Sequence, residues 1–299
     1  MTKLALGLAA FALVAATASE AAAFCRSTTC RSTSKKECAT DDDGCPAEGA
    51  KLYWPTSCVS FAMNKLGTQD LDPGDTRAII RKSFLSWADL PCKDGGNASI
   101  TFQEREPVTC KKSEYNKDGP NVNVILFQDD NWNYRGIDGT LAKTSVTYND
   151  TTGEIYDADI EVNAANNTVT ITDDPRKVEY DLQAILTHEA GHFIGLAHSP
   201  DPGAVMFASY NPGSTSQRTL TQDDIDAVCA VYPPNSGVVC NVEPRGGFSA
   251  TCDDAPSGGI CAASAAAPAQ ATSGSGALLA LAIGTVTAAR ARRARRERA

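Results

Sequence analysis

Apolar and polar positions along the chain switch between two periods. SCVSFAMN (57–64) alternates well enough for a first strand. Ile79, Ile80, Phe84 and Trp87 then recur at helical spacing within 75–89, and Pro91 follows as a stop. ASITFQER (98–105), NVNVILFQ (121–128), LAKTSVTY (141–148) and EIYDADIEVN (154–163) read as strands. A long helix follows: Asp173 or Asp174 offers a cap, Pro175 suits the first helical position, and Val178, Leu182, Ile185 and Leu186 form an apolar stripe. Near the end, Thr221 and Asp224 have capping-box spacing, with Ile225, Val228 and Val231 as the buried face of a last helix. A strand, a helix, several strands and a helix predict a mixed α/β domain whose sheet is backed by two helices.

Both ends depart from this pattern. Residues 1–23 place Lys3 before an apolar run (Leu4–Ala16) and a small-residue site at Ala21-Ala22-Ala23, the layout of a secretory signal. Residues 262–276 are a low-complexity linker, 277–289 are apolar, and six arginines follow. Thirteen residues of helix reach about 20 Å, short of a ~30 Å hydrocarbon core. Spacer, short apolar segment and basic end resemble the tripartite tails of myxobacterial surface proteins, which implies a bacterial source and attachment to a membrane or cell surface, with Cys261 as a loose match to their cysteine. The expected segments are a signal at 1–23, a Cys-rich segment at 24–50, a catalytic domain at 51–235, a Cys-containing extension at 236–261 and a sorting tail at 262–299.

The net charge of −9 conceals a still more acidic body, because the basic tail offsets it, and nucleic acid is excluded as a partner. All eleven cysteines follow the signal, no C-x-x-C pair occurs, and an exported chain should join most of them. Their pairing is not readable from spacing. The odd count leaves one over, for which Cys261 is the candidate.

The chemistry concentrates in HEAGHFIGLAH (188–198). On a helix His188 and His192 share one face, while Glu189 is rotated by about 100° and can flank an ion rather than block it. Gly195 can end the helix at positive φ and bring His198 round as a third ligand. Three imidazoles leave a fourth tetrahedral position for water, the catalytic rather than the structural arrangement for zinc. All three histidines of the chain lie in this motif, which chance core histidines do not explain.

H-E-x-x-H-x-x-G-x-x-H, followed by Met206 in HSPDPGAVMFASY (198–210), resembles the metzincin metallopeptidases, and Ser199 after the third histidine resembles the matrixins among them. The resemblance covers 175–233 and, more loosely, 51–174. It implies an α+β fold with a twisted, mostly parallel sheet, an antiparallel edge strand, two backing helices and a short C-terminal helix. It implies one catalytic zinc on His188, His192 and His198, Glu189 as general base, Met206 in a tight turn below the metal, and protein or peptide substrates. The strand at 154–162 would be the antiparallel edge that pairs with substrate, and 207–216 would wall the S1′ pocket. Matrixins often hold calcium near these strands, which makes Asp150, Asp157 and Asp159, with Glu154 nearby, candidate ligands; a solvated acidic edge is the equal alternative. Three departures stand out: Ala208 where matrixins usually carry proline, no histidine left for a second zinc, and no Pro-Arg-Cys-Gly-type latency motif. A secreted or surface-anchored, monomeric endopeptidase is expected; the alternative is a metzincin-fold binding module without activity.

Overall fold

The computed structural model describes residues 24–32, 36–134 and 140–252. The expected signal and sorting tail lie outside the described residues, as does Cys261. No described helix is long and apolar enough to cross a membrane.

Five strands form the main sheet: β1 (Cys58–Met63), β2 (Thr101–Glu104), β3 (Val124–Phe127), β4 (Ala142–Tyr148) and β5 (Ile155–Val162). Their order is β2-β1-β3-β5-β4, with every pair parallel except β4–β5. The edge expected at 154–162 is therefore corrected. β5 is interior, bonded on both sides, and the antiparallel edge is β4. Strand order depends on pairing between distant segments, which alternation within one segment does not encode.

Helix α1 (Pro73–Leu85) starts where Asp72 accepts from the backbone N–H groups of Gly74 and Asp75, at 2.8 and 3.1 Å, and has proline in its first turn. It stops before Trp87, which lies in the following turn, fully buried, and donates from Nε1 to the Thr187 carbonyl at 2.8 Å. Helix α2 spans Leu182–Phe193. Its cap is neither Asp173 nor Asp174 but Asp181, which accepts from Ala184 N at 2.7 Å. Asp173 pairs with Arg218, Asp174 closes a turn by accepting from Arg176 N, and Pro175 precedes no helix. Short strands β6 (Val169–Thr170) and β7 (Tyr180–Asp181) pair in parallel and hold the chain extended up to the cap. Helix α3 (Gln222–Val231) has the expected capping box at Thr221 and Asp224.

Both long helices pack on one sheet face. Phe84 of α1 stacks on Phe61 of β1 with centroids 4.0 Å apart and meets Phe193 of α2 edge-on at 5.0 Å. The other face carries a smaller cluster, Ala62, Val108, Cys110, Val122, Val124 and Leu126, closed by Phe248 and Cys252 of the C-terminal extension. Five disulfides join ten cysteines: Cys25–Cys45, Cys30–Cys38, Cys58–Cys240, Cys92–Cys229 and Cys110–Cys252.

Candidate metal centre and cleft

Asp181 fixes the start of α2 and so the phase of its faces. His188 and His192, one turn apart, bring their Nε2 atoms to 3.1 Å, and His198 Nε2 lies 3.2 Å from that of His192. Gly195, at φ +92°, makes the return possible. A side chain there would press on the Leu52 carbonyl. His188 Nδ1 sits 2.7 Å from the Val205 carbonyl and His192 Nδ1 2.9 Å from the Leu196 carbonyl. A carbonyl only accepts, so each of these Nδ1 atoms carries the proton and each Nε2 presents a lone pair. Lone pairs converging at about 3 Å are not hydrogen-bonded to one another. They form a donor set that fits a divalent cation.

Electrostatics agree. Burial pushes His188 and His198 down to about 4, helped for each by the neighbouring imidazoles, and lowers His192 in the same way. All three are neutral at pH 7, the form in which an imidazole can bind a metal. Among the described residues one other group of three ligating side chains gathers, Cys30, Cys38 and Glu48, and its two cysteines form a disulfide.

Glu189 is buried beside the triad. Thr144 Oγ1, on the edge strand, lies 2.5 Å from Glu189 Oε2 and 3.2 Å from its backbone oxygen. Burial raises the carboxyl's pKa, opposed by His192 and by the Thr144 hydrogen bond. Thr144 escaped the sequence reading because no local pattern relates positions 45 apart.

Met206 is buried directly beneath α2, with its sulfur against Gly191. Its turn hangs from Asp224, whose carboxylate accepts from Val205 N (2.9 Å) and Met206 N (3.1 Å) as well as from Thr221. The sequence shows Asp224 as a cap; its second duty, anchoring this turn, needs the tertiary structure. Gly191 has no room for a methyl group between Met206 and Trp87. Gly191→Ala should destabilise the fold by about 1–3 kcal/mol through overpacking, read as a lowered denaturation midpoint; an unchanged midpoint would refute the tight fit.

The candidate calcium ligands divide between an exposed turn and a buried sheet face. Asp150 is exposed in the turn after β4, and Asp150, Asp157 and Asp159 form no three-ligand cluster. Asp157 and Asp159 alternate onto the sheet face away from the helices and are buried. Burial raises both carboxyls, Asp159 to about 7, although Val124 N donates to it at 2.8 Å.

A cleft of about 630 Å³ opens onto the triad. Its walls come from Leu141 and the start of β4 (142–144), from α2 and from the segment after Met206, notably Phe207, Ala208 and Tyr210. Of the segment expected to wall the S1′ pocket, 207–216, residues 207–210 and 212 line this cleft. A cavity of similar size, about 660 Å³, lies on the far sheet face beneath the C-terminal extension, and no metal-ligating cluster lines it.

A mostly parallel sheet with one antiparallel edge, beside a helix that presents two imidazoles and a glycine turn that delivers a third, defines the metzincin-like class of α+β folds. The family model for Matrixin matches residues 53–233, more than half of the chain, and the chain belongs to the matrixin family. It is 25% identical over 189 residues to Metalloendoproteinase 1-MMP of Arabidopsis thaliana, covering 62% of this chain and 46% of that protein. It is 34% identical over 118 residues to human neutrophil collagenase (40% and 24% covered) and 29% identical over 195 residues to bovine interstitial collagenase (65% and 36% covered). The chain thus spans less than half the length of these relatives.

Proposed function

We propose that this chain is an exported, zinc-dependent endopeptidase acting on extracellular proteins. The observation that carries this reading is the convergence of three neutral Nε2 donors beside a buried glutamate, in a cleft bordered by a free sheet edge. His188, His192 and His198 would hold the ion. When bound, zinc supplies a Lewis acid that polarises the scissile carbonyl and acidifies a water. Glu189 accepts the proton of the attacking water and returns it to the leaving nitrogen. Thr144 engages Oε2 and leaves Oε1 for that transfer. Substrate lies extended along β4, whose outer N–H and C=O groups accept it as a further strand. A side chain on the substrate enters the pocket lined by Phe207 and Tyr210. Export rests on the layout of residues 1–23, and five disulfides suit an oxidising compartment.

The test is cleavage of an unfolded protein by the purified chain, with and without a zinc chelator. Cleavage that the chelator stops and zinc restores supports the reading. A chain that holds zinc but cleaves nothing in a broad peptide library points to a binding module.

Thr144 permits a finer test. Thr144→Val should lower kcat by about tenfold or more, with KM and zinc content little changed, because it loosens only the base. Thr144→Ser should recover most of the loss. A Val variant as fast as wild type would remove the hydroxyl from the reaction.

A further inference from the structure

The segment preceding the matched domain is built into the metal centre. Residues 25–29 run as a segment held between two others by isolated bridges and backbone hydrogen bonds. On one side Arg26 bridges Leu196 antiparallel, Ser27 N donates to the Gly195 carbonyl at 2.9 Å, and Ala197 N donates to the Cys25 carbonyl at 3.0 Å. On the other, Thr28 bridges Lys51 antiparallel and Leu52 N donates to the Ser27 carbonyl at 2.9 Å. The stretch it grips, 195–197, is the turn that delivers His198. The contact with the ligands is closer still. Ser27 Oγ donates to the Leu196 carbonyl at 2.8 Å, and that same oxygen faces His192 Nδ1 at 2.9 Å. One carbonyl therefore links the N-terminal segment to the ring of the second ligand and fixes which nitrogen that ring offers. The Cys25–Cys45 disulfide ties the segment down, and both cysteines are buried.

We propose that the disulfide-tied segment Cys25–Thr28 is a permanent clamp on the metal-ligand turn, with Ser27 as a positioning residue that orients His192 and holds His198 in reach. This rests on the zinc reading above. The clamp reading competes with that of a removable inhibitor. None of the contacts of residues 25–28 described above enters the cleft. They grip the backbone behind the ligands, where removal would loosen the metal rather than uncover the site.

The experiment measures zinc release from the full chain into an excess of a chromophoric chelator, alongside the thermal midpoint. Ser27→Ala should release zinc about tenfold faster, as losing a partner outside the ligand set commonly does, at a nearly unchanged midpoint. Ser27→Thr, which keeps the hydroxyl, should release at close to the wild-type rate. The paired variant Cys25→Ser/Cys45→Ser should release faster than Ser27→Ala; where it does not fold, the two Ser27 variants decide. Equal release from wild type and Ser27→Ala would overturn the clamp while leaving zinc in place. A release rate that is unchanged on loosening the segment, together with a rise in peptide turnover, would make it an inhibitor instead. A wild-type chain that takes up no zinc at all would instead refute the metal reading, and the clamp with it.

Discussion

Replacing Glu189 by alanine should abolish measurable peptide cleavage while the protein still takes up one zinc. The loss expected for removing a positioned general base is about 10²–10⁴-fold in kcat. Glu189 is not one of the three converging donors. Its carboxylate is held to the side by Thr144 of the edge strand, so the Nε2 cluster should survive its removal. The histidines are oriented from behind, by the Val205 and Leu196 carbonyls, and neither contact passes through Glu189. Alanine also removes a buried carboxyl, whose raised pKa records the cost of its burial, so the variant should fold at least as well as wild type. Zinc content, kcat and the thermal midpoint together separate the outcomes. Loss of cleavage with one zinc retained supports the base. Loss of zinc as well would place Glu189 in the ligand set, and retained cleavage would require a different base.

The site was largely legible because its logic is local. Helical periodicity puts His188 and His192 on one face, a glycine at 195 permits the reversal, and the third histidine lies three residues on. Each step spans less than two turns of chain. The same locality misled the reading upstream. Asp173, Asp174 and Asp181 all have the chemistry of a cap, and Pro175 favours the earlier pair. Long-range partners decide the matter. Arg218 forms an ion pair with the fully buried Asp181, and the Tyr210 hydroxyl accepts from its backbone N–H at 2.9 Å. Asp181 is thereby fixed at the helix start, and 173–179 become a loop. The sheet edge failed for a related reason. Strands β4 and β5 have similar patterns, and only the pairing of β5 with β3 makes one interior and the other an edge. Cysteine pairing was opaque because three of the five bridges span more than a hundred residues.

Those long bridges bear on where the folding unit ends. The family match stops at residue 233, yet a chain truncated after 235 should not fold stably. Cys58 of β1 is bonded to Cys240, and Cys110 to Cys252, at separations of 182 and 142 residues. Truncation removes both bridges. Each native disulfide contributes about 2–5 kcal/mol, most for long loops, though two loops that overlap this far stabilise by less than twice one. Truncation also uncovers Val108, Val122, Val124 and Leu126, now closed over by the half-buried Phe248, whose burial is worth less than the ~1.5–3 kcal/mol of a fully buried side chain. Backbone pairing goes too: Asn121 N donates to the Gly247 carbonyl and Ser249 N to the Asn121 carbonyl. The total rivals the whole stability of an ordinary domain, about 5–15 kcal/mol. The truncated chain should therefore aggregate or bind a hydrophobic dye, with Cys58 and Cys110 reactive to a thiol reagent. A chain ending at 252 should melt cooperatively with its thiols blocked. If the chain ending at 235 melts cooperatively within a few degrees of the longer one, the extension is an accessory and the matched segment folds without it. If it does not, the far sheet face depends for its cover on a strap that lies outside the family match and is secured by disulfides.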